Sequence, residues 1–425
     1  MAVRPKIRLL SGLILSMLAS YASASGFQLI EQNASGLGNA YAGSAAIADN
    51  ASTIFYNPAG MTQLQDREFS TGVAAIGTNF DFTNQGSSVG STLAGNGGNG
   101  GGWGFVPNAY LSWALNKDLY VGVGMGAPFG MKTEYDGGWI GAAQSNLFDV
   151  KTYNINPSIA YRVNDSVSIG AGLSWQRLTA DYGRRVGSAA PYLATSPLKL
   201  TLDGDAWGWN AGALFTLSPE TKVGISYRSA ISYDLTGNIN VVGTSPVPSS
   251  DTAARASLKL PDMFILSATH ELNTKWQLLG DISWTGWSSI PQIDIIRSAN
   301  GTLAQRLDTD FKDAWRVAVG ANYQYSSDIK LKFGIAYDQT PVKSAANRLV
   351  SLPDNDRLWL SGGAQWIPSK GSVFDFGVTY LYLKDSSIDN SQTTPAGTPS
   401  YSRGRVTGTY DASAWIVGVQ YSHAF

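Results

Sequence analysis

Long stretches of the chain alternate apolar with polar or small residues. That period of two marks strands with two unlike faces. In the last segment Trp415, Val417, Val419, Tyr421, His423 and Phe425 share one face, and Ile416, Gly418, Gln420, Ser422 and Ala424 share the other. Leu331, Phe333, Ile335 and Tyr337 alternate with Lys332, Gly334, Ala336 and Asp338. Phe374, Phe376, Val378, Tyr380 and Tyr382 alternate with Asp375, Gly377, Thr379 and Leu381. Runs of this kind predict fourteen strands: 67–82, 105–115, 118–127, 151–162, 166–178, 206–217, 221–233, 260–271, 275–285, 313–325, 328–337, 357–367, 373–383 and 412–425.

The connections alternate between short and long. Asn116-Lys117, Asn164-Asp165, Ser218-Pro219-Glu220, Asn273-Thr274, Ser326-Ser327 and Pro368-Ser369-Lys370 are turn-formers suited to tight hairpins. The intervening connections run to roughly twenty residues or more and cover 83–104, 128–150, 179–205, 234–259, 286–312, 338–356 and 384–411. Outer-membrane barrels have this asymmetry, with short periplasmic turns and long extracellular loops. An even strand count allows closure, and closure matters because hydrocarbon offers no partner to an open strand edge. The expected fold is all-β: a 14-stranded antiparallel transmembrane β-barrel over 67–425, in a bacterial outer membrane facing lipid and lipopolysaccharide.

Two segments precede the barrel. Residues 1–24 read as a secretory signal peptide: Arg4, Lys6 and Arg8, then an apolar stretch from Leu9 to Leu18, then Ala22-Ser23-Ala24. Residues 25–66 are rich in Gly and Ala and alternate poorly. Helix-compatible patches such as Gly43 to Ala51, with Phe27, Ile54 and Phe55, favour a folded plug, or hatch, within the barrel.

Composition narrows the function. Charged residues make up 14% of the chain, with 30 Lys+Arg against 31 Asp+Glu. That balance excludes the basic face of a nucleic-acid binder. The chain has no Cys and two His, so no metal site or cofactor is expected. The glycine run Gly95 to Gly102 lacks the lysine and the strand-to-helix setting of a phosphate cradle. A hydrolase would need a base, and His270 and His423 both fall near periplasmic strand ends, far from the long loops. The chain is not expected to be an enzyme.

Several motifs carry a resemblance. They are Ser25-Gly26-Phe27-Gln28-Leu29, Ser35-Gly36-Leu37-Gly38-Asn39, Asn57-Pro58-Ala59-Gly60, Trp103-Gly104-Phe105-Val106-Pro107-Asn108, Phe311-Lys312-Asp313-Ala314-Trp315-Arg316 and Leu352-Pro353-Asp354-Asn355-Asp356-Arg357. In this order the chain resembles the FadL/TodX (OmpP1) family of outer-membrane transporters for long-chain fatty acids and other hydrophobic compounds. The resemblance implies capture of a hydrophobic ligand at outer loops, transfer to an inner apolar site, and sideways release into the bilayer near the third strand. It implies that Phe27 reaches the inner site, that Asn57, Pro58 and Ala59 form the hatch motif, and that Lys312, with Arg316 in the same motif, meets the ligand head group. Gly126 and Pro128 fit a break in strand pairing, since one lacks a side chain and the other an N–H.

Arg177, Arg184, Arg185 and Lys312 lie toward the expected extracellular side and are candidates to pair with a carboxylate. Simple alternation puts Arg177 on the face of Leu173 and Trp175. The surrounding sequence matches the family loosely, which keeps uncharged ligands open. The expected function is passive uptake, of long-chain fatty acids first. Uptake of aromatic hydrocarbons, or a general porin, are the alternatives.

Overall fold

A computed structural model describes residues 26–89, 92–187, 194–244, 247–393, 398 and 402–425. The expected signal peptide lies outside the described residues. Twenty strands form one sheet. They are β1 (Arg67–Asn84), β2 (Trp103–Ala114), β3 (Leu119–Gly126), β4 (Gly130–Glu134), β5 (Leu147–Asn164), β6 (Val167–Arg185) and β7 (Pro197–Ser218). Next come β8 (Thr221–Arg228), β9 (Ile231–Val241), β10 (Ser250–Leu260), β11 (Met263–Glu271), β12 (Trp276–Thr285), β13 (Ile293–Arg297) and β14 (Leu303–Leu307). The last are β15 (Ala314–Gln324), β16 (Ile329–Asp338), β17 (Arg357–Ser369), β18 (Ser372–Leu383), β19 (Ser386–Gln392) and β20 (Gly404–Ala424).

Fourteen of these make the wall, each antiparallel to its neighbours: β1, β2, β3, β5, β6, β7, β8, β11, β12, β15, β16, β17, β18 and β20. They correspond one to one to the fourteen expected strands. The ring closes where β1 pairs with β20, from Glu68 opposite Ala424 to Asn84 opposite Gly408. Alternation explains why these segments are strands and which way they face. Trp415, Val417 and Val419 are exposed on the outer belt, while Ile416 and Gln420 are buried inside.

Three expectations need correction. The long loops are not free of strands: β4, β9, β10, β13, β14 and β19 lie in them and build the wall upward. Beyond the membrane the outward residues are polar, as with Ser232, Asp234 and Thr236 of β9, while Ile231, Tyr233 and Leu235 face in. The expected strand 221–233 is interrupted at Ser229-Ala230, between β8 and β9. Gly43 to Ala51 forms turns rather than a helix, because Gly43 and Ala48 take positive φ of 78° and 45°.

Candidate functional site

The residues of 26–66 lie almost entirely buried against the inner face of the wall. The helical pieces here are short: a 3-10 turn Leu37–Asn39, the helix α1 (Thr53–Tyr56) and a 3-10 helix Pro58–Gln63. Asn57 caps the last of these by accepting from the Ala59 N–H (3.1 Å). Its amide also donates to the carbonyls of Ala45 (2.7 Å) and of Ala213 on β7 (2.9 Å). Wall glycines let this motif approach. A Cβ at Gly212 would sit 2.2 Å from the Asn57 side-chain oxygen, and one at Gly170 would sit 2.4 Å from the Ala59 nitrogen.

Polar ties hold the rest of the segment to the wall. Lys332 on β16 donates to the Ser35 carbonyl (2.9 Å) and to Asp375 on β18 (2.8 Å). Ser44 donates to Asp281 on β12 (2.9 Å), and Arg228 on β8 donates to the Phe55 carbonyl (2.9 Å).

The wall is incomplete at the third strand. β2 pairs with β3 only from Ala109 opposite Met125 to Ala114 opposite Tyr120, so residues 103–108 of β2 face no strand on that side. β3 ends at Gly126 and the chain turns inward. Pairing with β5 resumes at β4, with Gly130 opposite Lys151. The intervening Ala127 and Pro128 bond instead to the N-terminal segment, while the Phe129 backbone bonds to Thr152 of β5 (2.9 and 3.0 Å). Leu29 N–H donates to the Pro128 carbonyl (2.7 Å), Gly130 N–H to the Phe27 carbonyl (2.9 Å), and Gln32 both donates to and accepts from the Ala127 backbone (2.8 and 3.0 Å). A Cβ at Gly126 would lie 2.3 Å from the Gln32 side-chain oxygen, so only glycine admits this contact.

Four rings meet behind the break. Phe27 stands edge-on to Trp287 with centroids 4.9 Å apart, and Phe129 is 6.0 Å from Phe27 and 6.2 Å from Trp287. Phe311 completes the group, 5.8 Å from Trp287. Phe27, Phe129, Trp287 and Phe311 are all buried. The group joins the N-terminal segment, the break after β3, the loop after β12 and the motif that precedes β15. Of these four, sequence reasoning singled out only Phe27. Phe311 opens a quoted family motif, while Phe129 stands beside a named residue and Trp287 lies in a loop, with no signal of their own.

The structure sorts the expected basic residues. Arg316 on β15 faces inward and is buried. Its guanidinium donates to the Ala40 carbonyl (2.5 Å) and stands 5.0 Å over the Trp359 ring. It also lines a small cavity of about 20 Å³ with Gln28, Ile30, Met263 and Asp338. Lys312 precedes β15 and its side chain is exposed, although neighbouring Phe311 belongs to the ring group. Arg177 does not face the barrel interior. Odd positions of β6 point outward, and Arg177 is exposed there in an ion pair with Asp203 of β7 (2.5 Å). Arg184, at an even position of β6, is buried. It donates to Gln305 (2.9 Å) and shares a small mixed cavity with Arg297, Leu198 and Leu200.

One carboxylate stands out. Glu31 is fully buried, and among the described residues neither side-chain oxygen has a hydrogen-bond partner. Burial pushes its carboxyl up to about 7, against the pull of Arg357 and Arg316. Glu31 follows by a few residues the Phe27-Leu29 stretch that fills the β3 break.

A family model described as "Outer membrane protein transport protein (OMPP1/FadL/TodX)" matches residues 15–425. The long-chain fatty acid transport protein of Escherichia coli K12 is 30% identical, with 96% of each chain covered. Outer membrane protein P1 of Haemophilus influenzae is 30% identical, covering 96% of this chain and 97% of its own. Among solved structures, a Pseudomonas aeruginosa FadL homologue superposes with a TM-score of 0.86 at 21% identity, over 94% of this chain and 99% of that one. The toluene transporter TodX of Pseudomonas putida gives 0.68 at 14% identity, over 92% and 98%. These two likenesses show a shared fold.

Proposed function

Because the chain belongs to the OMPP1/FadL/TodX family of outer-membrane transport proteins, which are not enzymes, we propose that it admits hydrophobic small molecules passively, long-chain fatty acids first. Residues 25–66 act as the hatch. The ring group at Phe27, Phe129, Trp287 and Phe311 marks the inner apolar site, where buried carbon surface contributes ~25 cal/mol per Å². Arg316 is the inner cation nearest this group in sequence, while Lys312 and Arg184 serve a head group farther out. Release is lateral, through the gap beside β2, once Phe27 to Leu29 leave it.

A single observation carries this reading: the inward turn at Ala127-Pro128, beside the unpaired stretch of β2, bonds to residues 29–32 rather than to another wall strand. A plug that borrows wall hydrogen bonds can leave without breaking the barrel. The four clustered rings also favour a second ligand class, aromatic hydrocarbons, through edge-to-face contacts. The test is native mass spectrometry of the detergent-purified protein with palmitate or toluene. Retained palmitate, weakened by Arg316→Met, supports the acid reading, and retention of toluene alone supports the second. Retention of neither ends the transport reading.

A further inference from the structure

A second break in the wall lies next to the ring group, on the side away from β3. β10 pairs with β9 along its whole length, from Ser250 opposite Val241 to Leu260 opposite Ile231. On its other side it meets β13 only at Ala254 to Ala256. Lower down, β11 takes up β12 from Met263 opposite Thr285. Between these two pairings, residues 257–262 face no strand. The loop after β12 crosses them with two hydrogen bonds: Gly286 N–H donates to the Asp262 carbonyl (3.0 Å), and the Ser289 hydroxyl to the Lys259 carbonyl (3.3 Å). A strand ladder would supply a bond at nearly every second residue, so this seam is loosely closed.

A cavity of about 230 Å³ opens at the seam, lined by Tyr233, Leu258, Lys259, Ile290 and Gln292 among others. Tyr233, Leu258 and Ile290 are buried and give the floor its apolar part, while Ser232, Asp234, Ser257, Lys259, Ser289 and Gln292 make the rest of the lining polar. At the rim Asp234 already accepts from the Ser257 hydroxyl (3.0 Å). Lys259 is exposed and makes no ion pair among the described residues. The rim therefore offers one uncommitted cation above the apolar part of the floor.

The height of the cavity is fixed by the rows beneath it. Tyr227, Phe264, Trp284 and Trp315 stand opposite one another across β8, β11, β12 and β15, an aromatic row of the kind that marks the membrane interface. Residues 257–262 begin immediately above this row. A molecule lying at the headgroup boundary, with its charge outward and its chain inward, meets the cavity in that orientation. The loop that bounds the cavity also carries Trp287, three residues before Ile290, so the cavity floor and the inner ring group are sides of one short segment.

We propose that this cavity is a second portal, through which alkyl carboxylates held at the outer headgroup boundary reach the ring group, with the carboxylate at Lys259 and the chain over Leu258, Tyr233 and Ile290. The proposal rests on the transport reading. It separates arrival from release: one seam, beside β10, faces the outer leaflet at headgroup height, and the other, beside β2, is where the hatch sits.

The chain has no cysteine, so a single introduced thiol reports on the cavity. Ser289→Cys is placed at the seam, and Ser387→Cys, on an exposed loop strand elsewhere, is the control. Both are labelled in detergent with an uncharged maleimide, with and without decanoate or decanol. At decanoate about ninefold above half-saturation, labelling at 289 slows about tenfold, as the free fraction falls. The control does not slow, decanol protects less, and Lys259→Gln removes the difference between them. Ser257→Trp, which fills the cavity, delays decanoate capture by the full-length protein and removes only the cavity's share of the decanoate retained at equilibrium in native mass spectrometry. Equal slowing at 289 and 387, or no slowing while decanoate is retained, overturns the portal and leaves the transport reading standing. No retention of any alkyl carboxylate overturns both.

Discussion

Replacing Lys332 with Met is expected to unseat the N-terminal segment far more than the loss of one hydrogen bond would suggest. Lys332 and Asp375 are each only 1% exposed and form an ion pair at 2.8 Å, while the same ammonium holds the Ser35 carbonyl at 2.9 Å. Asp49, 3.9 Å away and a quarter exposed, adds little. Met fills most of the volume but strands Asp375, which keeps only the Gln365 amide at 3.1 Å. Breaking a buried pair from one side costs about 3–5 kcal/mol, against about 1 kcal/mol for the Ser35 bond alone. Removing both charges, as Lys332→Met with Asp375→Leu, costs close to the smaller figure, because a buried pair replaced by apolar groups is often neutral. Hydrogen exchange of the amides of residues 33–39 in detergent reads the difference. Part of the cost falls on the wall itself, so the segment receives only a share. With about 3 kcal/mol of it borne by opening of the segment, the single variant exchanges roughly a hundredfold faster, and the double variant within about tenfold of the parent. The heat-modifiable gel shift checks that both barrels are closed. A double variant that opens as readily as the single one would refute the reasoning, since the stranded Asp375 charge would then account for none of the single variant's cost.

Two further outcomes follow from the same segment. Glu31 has its carboxyl raised from 4.5 to about 7 when seated, so seating favours the protonated form. That stability is complete below about pH 4.5 and is lost as pH rises through 7; protection of amides 26–32, corrected for intrinsic exchange, falls over that window and is flat in Glu31→Gln. Asn57→Ala leaves the carbonyls of Ala45 and Ala213 and the Ala59 N–H without their partner, at about 1–3 kcal/mol for each buried group left unpaired, and shows as faster exchange confined to residues 43–63.

The wall was legible because lipid imposes one rule on every strand that crosses it. Trp415, Val417 and Val419 must face out, and nothing else explains their spacing. Above the membrane that rule lapses. β9 and β10 still alternate, but with apolar residues inward and Ser, Asp and Lys outward, so a search for outward apolar faces ends at the interface. The candidate site was legible only in part. Phe27, Asn57 and Arg316 carried family motifs. Trp287 and Phe129 did not, and they meet Phe27 from positions 260 and 102 residues further along the chain, a proximity that no local pattern encodes. Arg177 shows the opposite failing. Its alternation with Leu173 and Trp175 already gave its direction correctly, and its charge alone made it a candidate.

The closing seam has a bearing on how the molecule is made. β1 begins at Arg67, directly after the buried N-terminal segment, and its first residue accepts the N–H of Phe425, the last residue of the chain (3.0 Å). Beginning and end of the wall therefore meet at the very doorstep of the segment they enclose. Once that join is zipped, some forty residues tied to the interior by buried hydrogen bonds have only the rims to pass through. Insertion after closure would have to thread them through a rim and form those bonds inside, so the join ties the docking of the final strand to the seating of this segment.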